Sequence, residues 1–323
     1  MTHTHGRRLR GALIGYGFIG AQGHVPAYLK RSDVELVAVA DICPARRALV
    51  PAQLPQARVY ESVEALLAAE KDRIDFIDVA TPPSEHAAIA LCSLDLGLHV
   101  LCEKPLTTRL ADAAALLDKA TSARRVLFPC HNYKHAPVVT AIGDVIRSGR
   151  IGKVRAVSLS TFRNTHAKGV PEWNTHWRRQ IRHAGGGIAM DHGSHTFYLT
   201  FDWLRAWPGA VTAKMTNQEP AQWDTEDNFS AVLSFPHGGL AHVHLTWTAG
   251  VRKVVYTVQG ERGAVTVDDD ELQVAVMRGT GGPDVAQGAV TWDVERRTIA
   301  SDWMDASHSR WFNAMFDDFQ GAM

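Results

Sequence analysis

The sequence predicts a protein of two parts, a doubly wound parallel α/β sheet over residues 1–130 and an α+β domain on an open sheet over 131–323. Three observations support this. The chain is long enough for two domains that each bury a core. Nearly continuous apolar runs alternate with helical patterns up to about residue 130, which is typical of a parallel sheet covered on both faces. Beyond residue 154, strand-like alternation recurs with few helices.

The elements of the first part follow from local signals. Ser62 is expected to cap one helix, and Ser84 a second that stops at Gly97. Residues 108–123 read as a third helix, rich in Ala and Leu. Pro26 stands too deep in the first helix to be harmless, so that helix should break or restart there. The predicted strands are 9–15, 34–41, 57–60 (the weakest), 74–81, 99–104 and 125–131.

The first strand leads into G-Y-G-F-I-G, in which Gly15, Gly17 and Gly20 have the dinucleotide-binding spacing of a Rossmann fold. Asp41 ends the second strand 21 residues after Gly20 (41 − 20). Its carboxylate is placed to accept hydrogen bonds from ribose hydroxyls and to repel a 2′-phosphate, which favours NAD over NADP. Arg46 and Arg47 stay open as an alternative phosphate site.

Composition excludes several classes of partner. Lys plus Arg and Asp plus Glu each number 34, so no global charge draws the chain to nucleic acid or to an anionic membrane. No apolar run approaches the length of a membrane span, and the start lacks the pattern of a signal peptide. The four cysteines show no metal-binding spacing and read as reduced thiols. We therefore expect a cytoplasmic protein without a metal site.

The second part reads as a sheet domain in which His242, His244, Thr246 and Thr248 share a polar face rather than a metal site. A hairpin is predicted around P-H-G-G at 236–239. The predicted strands are 154–162, 210–216, 228–235, 240–248, 254–260 and 263–269.

The stretch GGGIAMDHGSHTFY, residues 185–198, predicts a helix from near Ile188 with two faces. One stripe should pack on the core and consists of Met190, Phe197, Phe201 and Leu204. The other consists of Asp191, His195, Tyr198 and Asp202, so that Asp191 and His195 stand one turn apart. A metal site would need a third ligand that helical spacing does not supply. Acid–base chemistry is favoured, with a capped surface pair as the alternative.

The segment 161–183 mixes basic and aromatic residues. Guanidinium groups suit phosphate oxygens, and Trp faces suit a sugar ring or a base. A solvated basic loop is the open alternative. The residues concerned are Arg163, Lys168, Arg178, Arg179, Arg182, His166, Trp173, His176 and Trp177.

Four motifs in order give the chain its resemblance to the Gfo/Idh/MocA oxidoreductase family: G-Y-G-F-I-G, ATPPSEH at 80–86, CEKPLTT at 102–108 and GGGIAMDHGSH at 185–195. The resemblance implies a Rossmann domain followed by a domain with an open, mostly antiparallel sheet that often mediates oligomerisation. It also implies NAD(P)-dependent chemistry on sugars or cyclitols. We therefore expect a homo-oligomer, dimer or tetramer, acting on a small-molecule sugar or nucleotide sugar.

The family motifs also suggest site residues. Lys104 of E-K-P falls where the family residue reaches the nicotinamide and the reacting hydroxyl, and Lys134 stands where relatives often have arginine. The expected cofactor-binding residues are Gly15, Gly17, Phe18, Ile19, Gly20, Asp41, Thr81, Pro82, His86, Glu103 and Lys104. The expected substrate-binding residues are Lys104, Tyr133, Arg163, His166, Trp173, Trp177, Arg178, Arg179, Asp191 and His195.

These residues predict the oxidation of a secondary hydroxyl on a sugar. His195 would take the proton, Asp191 would orient it or grip a neighbouring hydroxyl, and the Lys104 ammonium would favour alkoxide character. The opposite assignment, with Lys104 as base, stays open. The loop chemistry, with family precedent, favours a nucleotide-linked amino sugar such as UDP-N-acetylglucosamine, resembling the family's 3-dehydrogenases. Alternatives are free sugars or cyclitols, or a non-catalytic NAD-binding sensor, against which the presence of Lys104 and His195 argues.

Overall fold

Six parallel strands form the sheet of the first unit of the chain, in the order β3-β2-β1-β4-β5-β6. The computed structural model describes residues 7–278, 291–300 and 308–323. Strand order reverses between β1 and β4, the switch point at which such sheets bind ligands. The strands are Leu9–Ile14 (β1), Val34–Ala40 (β2), Arg58–Tyr60 (β3), Phe76–Val79 (β4), His99–Cys102 (β5) and Leu127–Pro129 (β6). The predicted Rossmann fold is confirmed.

Helices cover both faces of this sheet. They are α1 (Val25–Tyr28), α2 (Pro44–Arg47), α3 (Val50–Gln53), α4 (Val63–Glu70), α5 (Pro83–Asp95) and α6 (Leu110–Ala123). Ser62 caps α4 as predicted, since its hydroxyl accepts from the Ala65 N–H at 3.2 Å. The cap predicted at Ser84 is wrong. The N-cap position is Pro82, two residues before Ser84, because Pro83, with its fixed φ, occupies the first turn, and the Ser84 hydroxyl donates to Glu85.

The helix that follows the glycines restarts at Pro26, as predicted. Gly20–His24 form a π-helix, and α1 begins at Val25 with Pro26 in its first turn. Proline has no N–H to donate and suits the first turn of a new helix. The change of helix type places His24 at the junction, where its side chain is buried.

The C-terminal helix, α11 (Ser309–Ala322), packs on the first unit. Phe312, Phe316 and Phe319 lie three and four residues apart, which puts them on one face, and all are buried against the sheet side that carries Phe76. Outside this face, the Arg31 guanidinium contacts Asp317 at 2.7 Å.

The two compact units therefore differ from the predicted ranges 1–130 and 131–323. Unit 1 comprises the described residues of Met1–Asn132, Ala167–Gly186 and Asp305–Met323, and unit 2 those of Tyr133–His166 and Gly187–Met304. Two segments from the predicted second domain thus belong to unit 1. The apolar face of α11 explains one of them, and the contacts of residues 167–186, described below, explain the other.

Unit 2 contains an eight-stranded sheet in the order β14-β13-β12-β11-β7-β10-β9-β8. Neighbouring strands are antiparallel except for the pair β7–β10, so the predicted open, mostly antiparallel sheet is confirmed. The predicted hairpin at 236–239 joins β9 to β10. The strands are Val154–Phe162 (β7), Ala210–Thr216 (β8), Asn228–Ser234 (β9), Leu240–Thr246 (β10), Lys253–Gly260 (β11), Gly263–Asp268 (β12), Glu271–Met277 (β13) and Trp292–Thr298 (β14). The sequence analysis missed β13 and β14.

Helices of unit 2 are α7 (Pro137–Arg147), α9 (Ile188–Asp191) and α10 (Gly193–Leu204), while α8 (Ile181–Ala184) belongs to unit 1. The helix predicted from Ile188 is broken at His192. The buried side of α10 carries His195, Leu199 and Trp203, whereas Phe197 and Phe201 are only half-buried. The predicted stripe is wrong in this respect.

In the described part of the chain, no helix combines the length and the apolar character needed to span a membrane.

Candidate functional site

The glycine loop after β1 is shaped by close backbone contacts. Gly15 has φ +97°, and a Cβ there would stand 2.7 Å from the Ala80 carbonyl oxygen; a Cβ on Gly20 would stand 2.4 Å from the Gly15 carbonyl oxygen. A Cβ on Gly17, by contrast, would meet no described atom within 4 Å. Close packing therefore requires glycine at Gly15 and Gly20. At Gly17, the absence of a side chain leaves open space over the loop. That is the role of the middle glycine in letting a pyrophosphate approach the backbone.

Asp41 lies beside this loop after β2. One of its carboxylate oxygens accepts from the Tyr16 N–H at 2.7 Å and the other from the Cys43 N–H at 2.7 Å. Arg46, the possible phosphate ligand, is buried and donates to the Tyr16 carbonyl at 2.8 Å and to Glu172 at 3.3 Å. Arg47 donates to the carbonyls of Asp41 and Ile42. The acid is thus fixed at the loop, and both guanidinium groups bind the protein itself.

The loop after β4 carries Thr81 and Pro82, which are half-buried. The Thr81 hydroxyl oxygen is buried and has no hydrogen-bond partner among the described residues. A buried hydroxyl without a partner is costly unless a ligand or water completes it. With the open space over Gly17, it fits a polar ligand at the switch point. Of the other expected contacts, Phe18 is 43% exposed and Ile19 is half-buried.

His86 is fully buried beneath these loops. Its Nδ1 lies 2.9 Å from the Pro105 carbonyl and its Nε2 lies 2.8 Å from the Thr81 carbonyl. Burial lowers the pKa of His86, and the two carbonyls oppose this. The ring therefore connects the loop after β4 to the E-K-P turn from below.

The E-K-P turn follows β5, and its acid is held by a histidine that the sequence analysis did not single out. One Glu103 oxygen lies 3.1 Å from Nε2 of His24, and the other accepts from the Lys104 N–H at 3.0 Å. Nδ1 of His24 lies 2.9 Å from the Asp78 carboxylate, which also accepts from the Tyr28 hydroxyl at 2.9 Å. No local sequence pattern marks His24 or Asp78 as site residues. The two partners of His24, Asp78 and Glu103, lie 54 and 79 positions away along the chain.

These contacts decide the charge of His24. Burial alone would lower the pKa of His24, but the Asp78 and Glu103 carboxylates outweigh it and raise that pKa to about 9. In turn, burial would raise the pKa of Glu103, yet His24 and Lys104 hold it below its usual value. His24 is therefore an imidazolium at neutral pH, between two carboxylates.

The same region includes Cys130. Ligand-type atoms of His24, Glu103 and Cys130 lie within 4.8 Å of one another. Both ring nitrogens of His24 bind carboxylates, and burial raises the pKa of the Cys130 thiol well above its usual value. The cluster therefore has the chemistry of an ion-pair network with a neutral thiol.

In unit 2, the glycine run turns sharply before α9. Glu226 holds this turn, since its carboxylate accepts from the N–H groups of Gly187 at 2.8 Å and Ala189 at 3.0 Å. A Cβ on Gly187 would stand 1.8 Å from the Glu226 carbonyl oxygen, so only glycine fits. Glu226, another residue that the sequence analysis missed, thus caps the helix that carries Asp191.

His195 is buried on α10, with two tyrosines around its ring. The Tyr133 ring stacks on it with centroids 3.7 Å apart and planes 14° apart. The Tyr198 hydroxyl lies 2.8 Å from His195 Nδ1 and accepts from the Tyr133 N–H at 3.2 Å. Asp191 lies 3.3 Å from Nδ1 of the adjacent His192. The His195 ring is thus oriented by Tyr198, a partner that the sequence did not predict.

The basic segment 161–183 is divided between the units. In unit 2, Arg163 is buried and donates to the Phe162 carbonyl, and His166 is buried between Trp223 and Trp247. The alternative of a solvated loop therefore does not describe these residues.

In unit 1, the rest of the segment is joined to the region after β2, since the Arg46 guanidinium and the Cys43 thiol both donate to Glu172. The Arg178 guanidinium lies 4.1 Å from the Trp177 ring centroid, and the Trp173 ring contacts His183 with centroids 5.3 Å apart. Arg179 is buried, whereas Lys168 and Arg182 are exposed. Among the basic residues of the segment named here, only Lys168 and Arg182 fit the alternative of a solvated basic loop.

Comparisons with known proteins cover both units. Residues 9–131 match the GFO_IDH_MocA family model, an oxidoreductase family with an NAD-binding Rossmann fold. Residues 139–266 match the GFO/IDH/MocA C-terminal domain.

Two curated relatives illustrate the likeness. The chain is 26% identical over 259 residues to D-glucoside 3-dehydrogenase of Escherichia coli (strain K12), which covers 76% of this chain and 72% of that protein. It is 30% identical over 231 residues to D-xylose 1-dehydrogenase (NADP(+)) 2 of Haloferax volcanii, covering 72% of this chain and 67% of that protein.

A solved structure is similar over the whole length. GenD2 from gentamicin A biosynthesis, in complex with NAD, superposes with a TM-score of 0.79 at 25% identity, covering 100% of this chain and 88% of GenD2.

The glycine loop yields a first prediction. Gly17→Ala should leave the thermal unfolding midpoint unchanged, because its Cβ meets no described atom, yet weaken NADH binding at least about tenfold by filling ligand space. Gly20→Ala, with its clash, should lower the midpoint as well. NADH fluorescence titration and calorimetry of both variants check this. Undiminished NADH binding by Gly17→Ala would contradict it.

The His24 network yields a prediction on pH. Because the pKa of His24 is raised from 6.5 to about 9, its stabilisation is full below pH 6.5 and is lost as the pH rises through 9. The wild type should therefore lose about 3 kcal/mol of unfolding free energy relative to His24→Gln between pH 6.5 and 9.5. Urea unfolding of both proteins across this range measures the difference. If the unfolding free energies of the two proteins change in parallel with pH, His24 is not charged in the folded protein.

Proposed function

Because the chain belongs to the Gfo/Idh/MocA oxidoreductase family, we propose that it oxidises a secondary hydroxyl of a sugar, with NAD as the hydride acceptor. The predicted enzyme class, an NAD(P)-dependent oxidoreductase, is confirmed by the family match, which leaves the non-catalytic sensor without support. The observation that carries the proposal is the loop set at the β1–β4 switch point, with its open Gly17, the unpartnered Thr81 hydroxyl and the fixed Asp41.

The choice of NAD rests on Asp41. Its carboxylate is held by two N–H groups next to the glycine loop, where a 2′-phosphate would meet a negative charge. Arg46 is engaged with Glu172 and a carbonyl, so a phosphate would have to displace these contacts. The D-xylose 1-dehydrogenase relative carries NADP(+) in its name, and turnover with both cofactors is therefore the relevant comparison.

Proton handling is assigned to the side chains of Lys104 and His195. A bound NAD would supply the hydride acceptor. Lys104 donates a hydrogen bond to the reacting oxygen and favours its alkoxide character. His195 takes the hydroxyl proton, with its ring oriented by Tyr198 and Tyr133. Asp191 binds a neighbouring hydroxyl of the sugar.

The favoured substrate is a nucleotide-linked amino sugar such as UDP-N-acetylglucosamine, oxidised in the 3-dehydrogenase manner. The stacked Trp177 and Arg178 support it, because an aromatic face and a guanidinium suit a base or sugar and a diphosphate. Free sugars are the second candidate class, supported by the likeness to D-glucoside 3-dehydrogenase.

We also propose that two or more copies associate through the outer face of the unit 2 sheet. All seven residues of β8 are exposed, and the face that carries Ser230 and His242 also carries exposed apolar side chains, Val232 at 38%, Leu240 at 41% and Trp292 at 52% exposure. An exposed apolar face with an open edge strand is typical of an interaction surface. A second copy is the occupant that the resemblance implies.

The mechanism predicts the effect of removing either polar group. Lys104→Ala and His195→Ala should each lower kcat by about 10²–10⁴-fold, since each removes a group that acts on the reacting oxygen. Because the glycine loop and Asp41 are unchanged, the NADH dissociation constant should stay similar. Steady-state kinetics and fluorescence titration measure both, with His237→Ala as a matched histidine control. Near-normal turnover in both variants would refute the assignment.

The substrate class is tested by a panel of nucleotide sugars, free glycosides, sugar phosphates and inositols, each assayed for NADH and NADPH production. Arg178→Ala should raise KM for the nucleotide sugar about 10- to 100-fold, as expected for a lost charged contact, and leave KM for NAD little changed. Arg182→Ala, in the same segment, is the control. If the enzyme turns over only free glycosides, the proposed nucleotide-sugar substrate is wrong, while the proposed oxidation of a sugar hydroxyl is retained.

The association predicts a mass in solution of at least twice the 35.4 kDa of one chain. Val232→Asp should reduce this mass, because it places a charge on this outer face. Leu117→Asp changes an exposed leucine of α6 and should not. Light scattering after gel filtration decides, and a wild-type mass of one chain would refute the proposal.

A further inference from the structure

We propose that His24 is a positioning residue for Lys104, acting through the Glu103 carboxylate that it holds. The inference deepens the proposed function and rests on the role given there to Lys104. His24 touches neither the reacting atoms nor the cofactor in this account. Its contribution is to determine where the E-K-P turn lies.

The chain of contacts is continuous. Nε2 of His24 lies 3.1 Å from one Glu103 oxygen, and the second oxygen of the same carboxylate accepts from the Lys104 N–H at 3.0 Å. A carboxylate bound at both oxygens cannot rotate without breaking one contact. The His24 ring is held in turn by Asp78 at Nδ1 and by the Phe312 ring, which stacks on it with centroids 4.0 Å apart.

The far side of the turn is fixed independently. His86 Nδ1 lies 2.9 Å from the Pro105 carbonyl. With the Lys104 N–H bound by Glu103 and the Pro105 carbonyl bound by His86, both ends of the Lys104–Pro105 unit are anchored. The direction in which the Lys104 side chain leaves the backbone is therefore set by two buried histidines.

Charge makes His24 different from a neutral spacer. The groups that face it are Asp78 from β4, Glu103 after β5, Tyr28 from α1, Phe312 from α11 and the Cys130 thiol after β6. Asp78 and Glu103 are the anionic members of this set. Without the imidazolium, two carboxylates would face each other in the interior, which favours protonation of one or its movement towards water. When Glu103 is the carboxylate that is protonated or moves, its hydrogen bond from the Lys104 N–H is weakened or lost.

The test compares His24→Gln with His99→Gln, which makes the same change at the opposite end of β5, where the ring accepts from the Val126 N–H. His24→Gln should lower kcat by about 10²-fold, as expected for a misplaced catalytic group, with the NADH dissociation constant changed less than about threefold. His99→Gln should leave both near wild type. A fall in kcat no larger than that of His99→Gln would overturn the proposal.

A second measurement does not depend on turnover. Lysines are reductively ¹³C-methylated and the Lys104 signal is assigned by its absence in Lys104→Arg. His24→Gln should change the chemical shift of that signal at neutral pH, because the Glu103 carboxylate beside Lys104 moves. An unchanged chemical shift in a folded His24→Gln protein would overturn the proposal. If the wild type oxidises no sugar, the proposed function fails while this chemical shift still decides the role of His24.

Discussion

The buried contact of His24 with Asp78 and Glu103 ties together four parts of unit 1. It joins the helix that follows the glycine loop, the end of β4, the turn after β5 and, through the stacked Phe312, the C-terminal helix. Breaking one of these buried hydrogen bonds leaves a charged group without its partner, which is costly. Each part therefore restrains the others. The loops that would meet a cofactor are consequently anchored to the core rather than placed at the ends of free strands.

Close backbone contacts supply the second constraint. Gly15 presses on Ala80, Gly20 on Gly15 and Gly187 on Glu226, and in each case a side chain would collide. Gly17 has no such neighbour, so its value lies in the space above it. The same residue type therefore serves packing at three positions and leaves open space at a fourth, a distinction that the spacing of the motif cannot make.

The sequence predicted the features that arise from local chemistry. Apolar runs marked the six parallel strands and most of the second sheet, and Pro26 correctly marked a helix restart. What it missed depends on tertiary contacts. His24 and Glu103 are 79 positions apart, and the burial of His195 involves a tertiary contact with the Tyr133 ring, 62 positions away in the chain (195 − 133). The C-terminal helix packs on the sheet of unit 1, and its apolar face alone does not specify which sheet it covers.

The central claim is that hydride passes from a sugar carbon to NAD while side chains of this protein manage the proton. It is tested most directly by incubating the enzyme with NAD and the best sugar of the panel, deuterated at its ring carbons, and measuring the mass of the NADH formed. The account predicts one deuterium atom in each NADH molecule. NADH that carries only hydrogen from the solvent would contradict it.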